Sequence, residues 1–154
     1  SAASDVYKRQ EPHLVPVNLN DLVFSCKRFM EGMCADRNIT ITLDIDEELG
    51  EVKLDVALFE QVLVNIIKNA AESIEQNGEI KIRTYSPGGI EVADNGKGIT
   101  KETEAKLFSP FFSTKPNGQG IGLIFIREVL MRHGCSFSLR TYADGWTRFR
   151  MLFN

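Results

Sequence analysis

The sequence predicts an α/β two-layer sandwich, a mixed β-sheet with its helices packed on one face. Three observations lead there. Helical and strand patterns are interspersed along the chain. The late strand patterns come in pairs joined by short turns, which makes them antiparallel hairpins. And neither a repeat nor a linker divides the 154 residues, a length that suits one domain with a sizeable core.

In chain order, PVNLNDLVFSCKRFMEGMCADRN offers Asn20 as a helix cap, followed by Leu22, Val23, Cys26, Phe29, Met30 and Met33 at helical spacing. ITITLDI (39–45) alternates as a strand does, and VKLD (52–55) is a short extended piece whose Asp55 can cap the next helix. That helix, LFEQVLVNIIKNAAESI (58–74), is long, with Leu58, Val62, Ile66, Ala70 and Ile74 on or near one apolar stripe. EIKIRTY (79–85) and GIEVAD (89–94) form a hairpin around Ser86–Gly88. Residues 95–120 read as a long irregular segment rich in glycine and proline, and such a loop is usually a functional lid or disordered. A helix from Ile121 to about Arg132, ended by Gly134, and a closing hairpin of CSFSLRTY (135–142) and WTRFRMLF (146–153) complete the chain.

Residues 1–10, SAASDVYKRQ, are set apart as a non-native or disordered leader, because DVYKRQ matches a translated transposon adapter used in DNA sequencing; the domain is taken as 11–154, with the natural protein expected to continue upstream of Glu11. The composition, 43% hydrophobic and 25% charged, is that of a globular protein. A net charge of −3 argues against a surface built to neutralise nucleic-acid phosphates. No apolar run has the length of a membrane span, and no signal peptide begins the chain. Cys26, Cys34 and Cys135 form no CxxC pair and read as small apolar thiols of a reducing compartment.

Several polar positions stand out against this background. Asn65 and Asn69 sit in the most apolar helix, four residues apart and therefore on one face. Either that face is solvated, or both amides meet a ligand, since buried unpaired amides are costly and an amide oxygen suits magnesium. Asp94 ends a strand before DNGKG. As a turn signal this is ordinary. As chemistry, it has no second acid nearby for acid–base work and no alternating oxygen ligands for calcium. A carboxylate accepting a hydrogen bond from an amine is the functional alternative, with glycines letting backbone approach a flat ring. GQGIGL (118–123) opens a helix and is either a hinge or a phosphate-binding helix start; it matches neither the Rossmann nor the Walker A pattern. In LFSPFFSTK (107–115), three phenylalanines need something to pack on, while Thr114 and Lys115 bring a hydroxyl and a positive charge close to those glycines.

Taken together, the order and spacing of these motifs resemble the ATP-binding catalytic domain of sensor histidine kinases, in the GHKL superfamily of gyrase-type ATPases with the Bergerat fold. QVLVNIIKNAAESI resembles the N box, VADNGKGI the first glycine box, LFSPFFSTK the F box and GQGIGL the second glycine box; PVNLNDLV resembles the start of that domain and DGWTRFRMLF its last hairpin, so the likeness runs from Val15 to Phe153. It implies that Asp94 accepts the adenine amine, with Thr147 supporting it through water. Gly96 and Gly98 would let backbone reach the base, and Asn69 would hold the magnesium that bridges the phosphates, with Asn65 beside it. Gly118, Gly120 and Gly122 would hold the phosphates under a lid of residues 100–117, lying between the sheet hairpin and the last long helix. Ile99, Phe112, Thr114, Lys115 and Leu123 would, by the same resemblance, belong to the nucleotide site.

Asn65 stands where the gyrase, mismatch-repair and heat-shock ATPases of the superfamily carry a water-activating glutamate, and an amide is no general base. The resemblance therefore implies a kinase that holds ATP unhydrolysed, with Asn65 and Lys115 as catalytic groups. NAAES and FFSTK resemble the nitrogen-regulation type, which keeps its phosphate-binding lysine in the lid; Glu72, where many relatives carry a basic residue, departs from the pattern. Neither His13 nor His133 lies in a phosphoacceptor context, so the implied partners are a dimerising, histidine-bearing helical hairpin of the same kinase, upstream, and a response regulator. The fragment is expected to be monomeric, cytoplasmic and not membrane-spanning, with any anchor elsewhere in the full-length protein. A binding-only regulatory module, a gyrase-type ATPase and a serine kinase are the competing readings.

Overall fold

The computed structural model describes residues 11–107 and 121–153, so the leader assigned to 1–10 lies outside the described residues. The chain opens with strand β1 (Val15–Asn18), which pairs antiparallel with β3 (Glu51–Leu54) in a two-stranded ribbon. Between them run helix α1 (Leu19–Asp36) and strand β2 (Ile39–Asp44). Helix α2 (Val56–Ile74) comes next, then β4 (Gly78–Tyr85) and β5 (Gly89–Asp94). The short helix α3 (Lys101–Glu104), helix α4 (Ile121–Arg132), β6 (Ser136–Thr141) and β7 (Thr147–Leu152) complete the order.

Five strands form one mixed sheet in the order β2-β4-β5-β7-β6. Only β2 and β4 run parallel, and the others pair antiparallel. Helices α1, α2 and α4 cover one face: α1 packs on α2 and β2, while α2 packs on β4, β5 and α4. The sandwich expected from the sequence is the one observed. Its core is set by period: α2 buries Phe59, Val62, Leu63, Ile66, Ile67, Ala70 and Ala71, and the strands send alternate residues, such as Ile80 and Ile82, against it. The sheet face away from these helices is polar. There Glu91, 8% exposed, accepts from Arg150 Nε at 2.7 Å, with the Arg83 and Arg148 guanidiniums close by.

Two local expectations change. The cap of α1 is Asn18, whose side-chain oxygen accepts from the Asp21 N–H at 3.2 Å. Asn20 is instead buried inside the helix. Its amide donates to the Asp46 carbonyl and its oxygen accepts from the Thr84 hydroxyl at 2.6 Å, tying the helix to the sheet. The segment after Asp94 is also not wholly irregular. Thr100 caps α3, its hydroxyl accepting from the Thr103 N–H.

Candidate functional site

Strand register places the polar residues of the inner face in one row. Asp94 of β5 lies opposite Thr147 of β7, and Thr147 lies opposite Thr141 of β6. The next rows inward are apolar, with Val92 opposite Phe149 and Phe149 opposite Leu139. The polar row is thus the end of the core, where the sheet meets the last turns of α2.

Asp94 is 5% exposed, and burial pushes its carboxyl from the ordinary 3.8 up to about 6. Two neighbours work the other way: Oδ1 accepts the Gly96 N–H at 2.9 Å, and the Ser73 hydroxyl also favours the charged form of the carboxylate. No ion pair to Asp94 occurs among the described residues. A buried carboxylate served by neutral donors suits a further neutral donor better than a metal dication, which wants several oxygen ligands. Among the described residues, no group of three or more His, Cys, Asp or Glu is placed to hold a metal.

The glycines have separable reasons. A Cβ on Gly96 would lie 2.5 Å from Ser73 Oγ and 2.6 Å from the Ser73 carbonyl carbon, so the loop passes directly over the end of α2. The Lys97 N–H donates to the Ser73 carbonyl there at 3.2 Å. Gly98 has φ +76°, and its Cβ would meet the Thr141 side chain at 3.1 Å. Next along the chain, the Ile99 N–H donates to Thr141 Oγ1 at 2.8 Å, which is 2.7 Å from Thr147 Oγ1. The Thr141 N–H donates outward to Glu104 of α3 at 3.1 Å.

Asn65 and Asn69 lie half-buried on α2, and Ser73 continues their stripe at the same four-residue interval. The stripe therefore runs about 12 Å along the helix and ends at Asp94. Asn65 also borders a groove of about 550 Å³ formed by α1 and α2, lined by Ser25, Cys26, Phe29 and Val64. Gly122 and Leu123 sit in the first turn of α4, with Leu123 packed against the core; among the described residues, a Cβ on Gly122 would meet nothing within 4 Å. Phe112, Thr114, Lys115, Gly118 and Gly120 lie outside the described residues, as does the part of the expected lid beyond Leu107.

Sequence reasoning misses Ser73, Thr141 and Glu104. The spacing of Asn65 and Asn69 points on to Ser73 at the next i+4 position. Nothing local marks Thr141, which enters only through the register of three strands. The cysteines are buried thiols, Cys26 and Cys135 pushed up by burial to about 11 and about 12. His133 is structural: its Nδ1 lies 2.7 Å from the Val129 carbonyl, and Nε2 accepts the Asp55 N–H at 3.0 Å.

Residues 54–154 match the model of the histidine kinase-, DNA gyrase B- and HSP90-like ATPases. The chain belongs to this family. Within it, the chain is an ATP-binding catalytic domain of the sensor histidine kinase kind. It is 34% identical over 121 residues to the signal transduction histidine-protein kinase AtoS of Escherichia coli, covering 76% of this chain and 20% of that protein. With the sensory histidine kinase/phosphatase NtrB of Rhodobacter capsulatus it shares 30% over 156 residues, or 91% of this chain and 43% of that one. It thus spans less than half the length of either relative. The nucleotide-free catalytic domain of histidine kinase ThkA superimposes with a TM-score of 0.82 at 30% identity, covering 92% of this chain and 95% of that domain. Among the described residues of this histidine-kinase-like domain, no helix is long and apolar enough to cross a membrane.

Proposed function

We propose that this domain, residues 11–154, binds ATP with magnesium in the cytoplasm. It would deliver the γ-phosphoryl group to a histidine on a helical hairpin elsewhere in the same kinase, from which a response regulator receives it. The observation that carries the nucleotide reading is the buried Asp94 carboxylate, held by Ser73 and the Gly96 N–H at the end of the asparagine stripe. Asp94 accepts the N6 amine of adenine, Thr147 assists beside it, and Gly96, Gly98 and Ile99 let the backbone follow the base. Asn69 offers its amide oxygen to magnesium, a hard ion bound through few protein groups; the bound ion would neutralise phosphate charge. Gly118, Gly120, Gly122 and Leu123 receive the phosphates at the start of α4, with Phe112, Thr114 and Lys115 from the preceding segment.

The chemistry of the chain is positioning. The bond from the γ-phosphorus to the bridging oxygen breaks as one to an imidazole nitrogen forms, and ADP leaves with the bridging electrons. Asn65 beside Asn69 cannot take a proton from water, so it favours transfer over hydrolysis. His133 is not the acceptor in this scheme, because both ring nitrogens are engaged within the fold.

Calorimetric titration of magnesium-ATP into the domain and into Asp94→Asn, with released phosphate assayed in the same samples, tests the reading. Binding by the parent alone, without hydrolysis, is the expected result. Equal binding by both would remove the role given to Asp94, and rapid phosphate release would move the reading to an ATPase.

A further inference from the structure

We infer that Glu104 is a positioning residue for the base site: its carboxylate accepts a hydrogen bond at the edge of the sheet and thereby fixes the turn from Gly96 to Ile99 beside Asp94. This rests on the reading of Asp94 as the acceptor of the adenine amine. The other half of the tie is Thr141 of β6.

The edge geometry follows from the strand register. The Tyr142 N–H donates to the Trp146 carbonyl at 2.9 Å. In the antiparallel alternation the next pair, Thr141 and Thr147, therefore exchanges no backbone hydrogen bonds, and the Thr141 N–H points away from β7. β6 is the last strand in the sheet order, so among the described residues no further strand lies there to receive it. Glu104 Oε1 takes that place at 3.1 Å, from a half-buried position on α3. A backbone N–H only donates and an ionised carboxylate only accepts, so the direction of this bond is fixed.

The same segment holds Thr141 a second time, because Thr141 Oγ1 accepts the Ile99 N–H at 2.8 Å. Between the two ties the chain is braced within itself. The Glu104 N–H donates to the Thr100 carbonyl at 2.9 Å, and the Thr103 N–H to Thr100 Oγ1 at 3.1 Å. Helix α3 buries none of its four residues, so polar contacts rather than packing locate it. At its other end the turn is tied to α2, where the Lys97 N–H donates to the Ser73 carbonyl at 3.2 Å. Gly96, Gly98 and Ile99, the residues given to the base, thus span from Ser73 to Thr141. Without Glu104 the Ile99 bond alone ties the β6 end, next to Gly98 at φ +76°. The backbone facing the base is then less ordered, and binding has to supply that order. Packing resumes at the buried Leu107, so a substitution at 104 leaves the fold standing.

The test titrates magnesium-ATP and magnesium-ADP by calorimetry into the parent, Glu104→Ala, Glu104→Gln and Glu102→Ala. Glu104→Ala should weaken both nucleotides by the same factor, roughly three- to tenfold, the scale of one hydrogen bond, because the base is common to both. Glu104→Gln keeps an accepting oxygen and should stay within about twofold of the parent. Glu102 is exposed and pairs with Lys106 at 3.5 Å. Glu102→Ala therefore makes the same change of charge without touching the tie, and should bind like the parent. Parent affinity in a folded Glu104→Ala, a loss confined to ATP, a glutamine variant as weak as the alanine one, or an equal loss in Glu102→Ala overturns the inference. Amide exchange reads the tie without nucleotide and without a variant. The Thr141 amide of the parent should exchange slowly with solvent, and exchange at the rate of an open peptide overturns the tie. The two readings fail differently: Asp94→Asn binding ATP like the parent removes the base site itself, whereas a responsive Asp94→Asn with an indifferent Glu104→Ala removes only the role of Glu104.

Discussion

The Ser73 hydroxyl stands beside the Asp94 carboxylate and favours its charged form, relating the last turn of α2 to the last residue of β5. The same carboxylate accepts from Gly96, two residues on, so its orientation is set from the helix and the loop together. Ser73→Ala removes one of these restraints and leaves the backbone contacts of the turn intact. ATP affinity should weaken about five- to tenfold, the worth of one hydrogen bond of about 1 kcal/mol. Titration of the variant at pH 8 checks this; an affinity equal to that of the parent would show that Gly96 alone suffices.

Burial of Asp94 has a cost and a sign. Its carboxyl titrates near 6 in the fold against the ordinary 3.8, a difference worth about 3 kcal/mol. The folded chain holds the proton more tightly, so this group's contribution is full below 3.8 and is lost as pH rises through about 6. Asp94→Asn keeps an oxygen for Gly96 and Ser73 and carries no charge to desolvate. Without nucleotide it should melt higher than the parent at pH 8, with the gap closing by pH 4, while failing to bind ATP. Melting curves at both pH values decide this. Binding by the parent should itself weaken below pH 6, as the acceptor becomes protonated.

Gly96 tests the close passage of the loop over α2. A methyl there would stand 2.6 Å from the Ser73 carbonyl carbon and 2.7 Å from its oxygen, and backbone cannot yield as a side chain end can. Gly96→Ala should therefore cost about 1–3 kcal/mol of stability, read as a lower denaturation midpoint. Gly50→Ala, with open space around it, is the control.

How much of this is legible in the sequence depends on the range of the interactions. Helix α2 and the β4–β5 hairpin can be read because one stripe of apolar residues and one alternation each identify them. Asp94 stands out because an acid at a strand end before two glycines is a local pattern. The cap of α1 is ambiguous because Asn18 and Asn20 are both good caps, and only the tertiary bond from Thr84 draws Asn20 inward. Thr141 cannot be found at all from its neighbours. Its role needs β6 beside β7, β7 beside β5, and the turn at Gly98 folded back against them.

His133 is committed to the fold rather than to phosphoryl transfer. With Nε2 accepting the Asp55 N–H, that nitrogen carries no proton, so the proton sits on Nδ1, which donates to the Val129 carbonyl. The ring also meets Phe59 edge-on, with centroids 5.6 Å apart. It therefore links the end of α4 to the residue that caps α2, whose side chain accepts the Leu58 N–H. His133→Ala should destabilise the fold by about 1–3 kcal/mol through the unpaired Asp55 N–H and the lost packing. Under conditions where the variant stays folded, its affinity for magnesium-ATP should match the parent. Denaturation and titration on one preparation separate the two effects, and a loss of nucleotide binding without a loss of stability would reassign this histidine to the site.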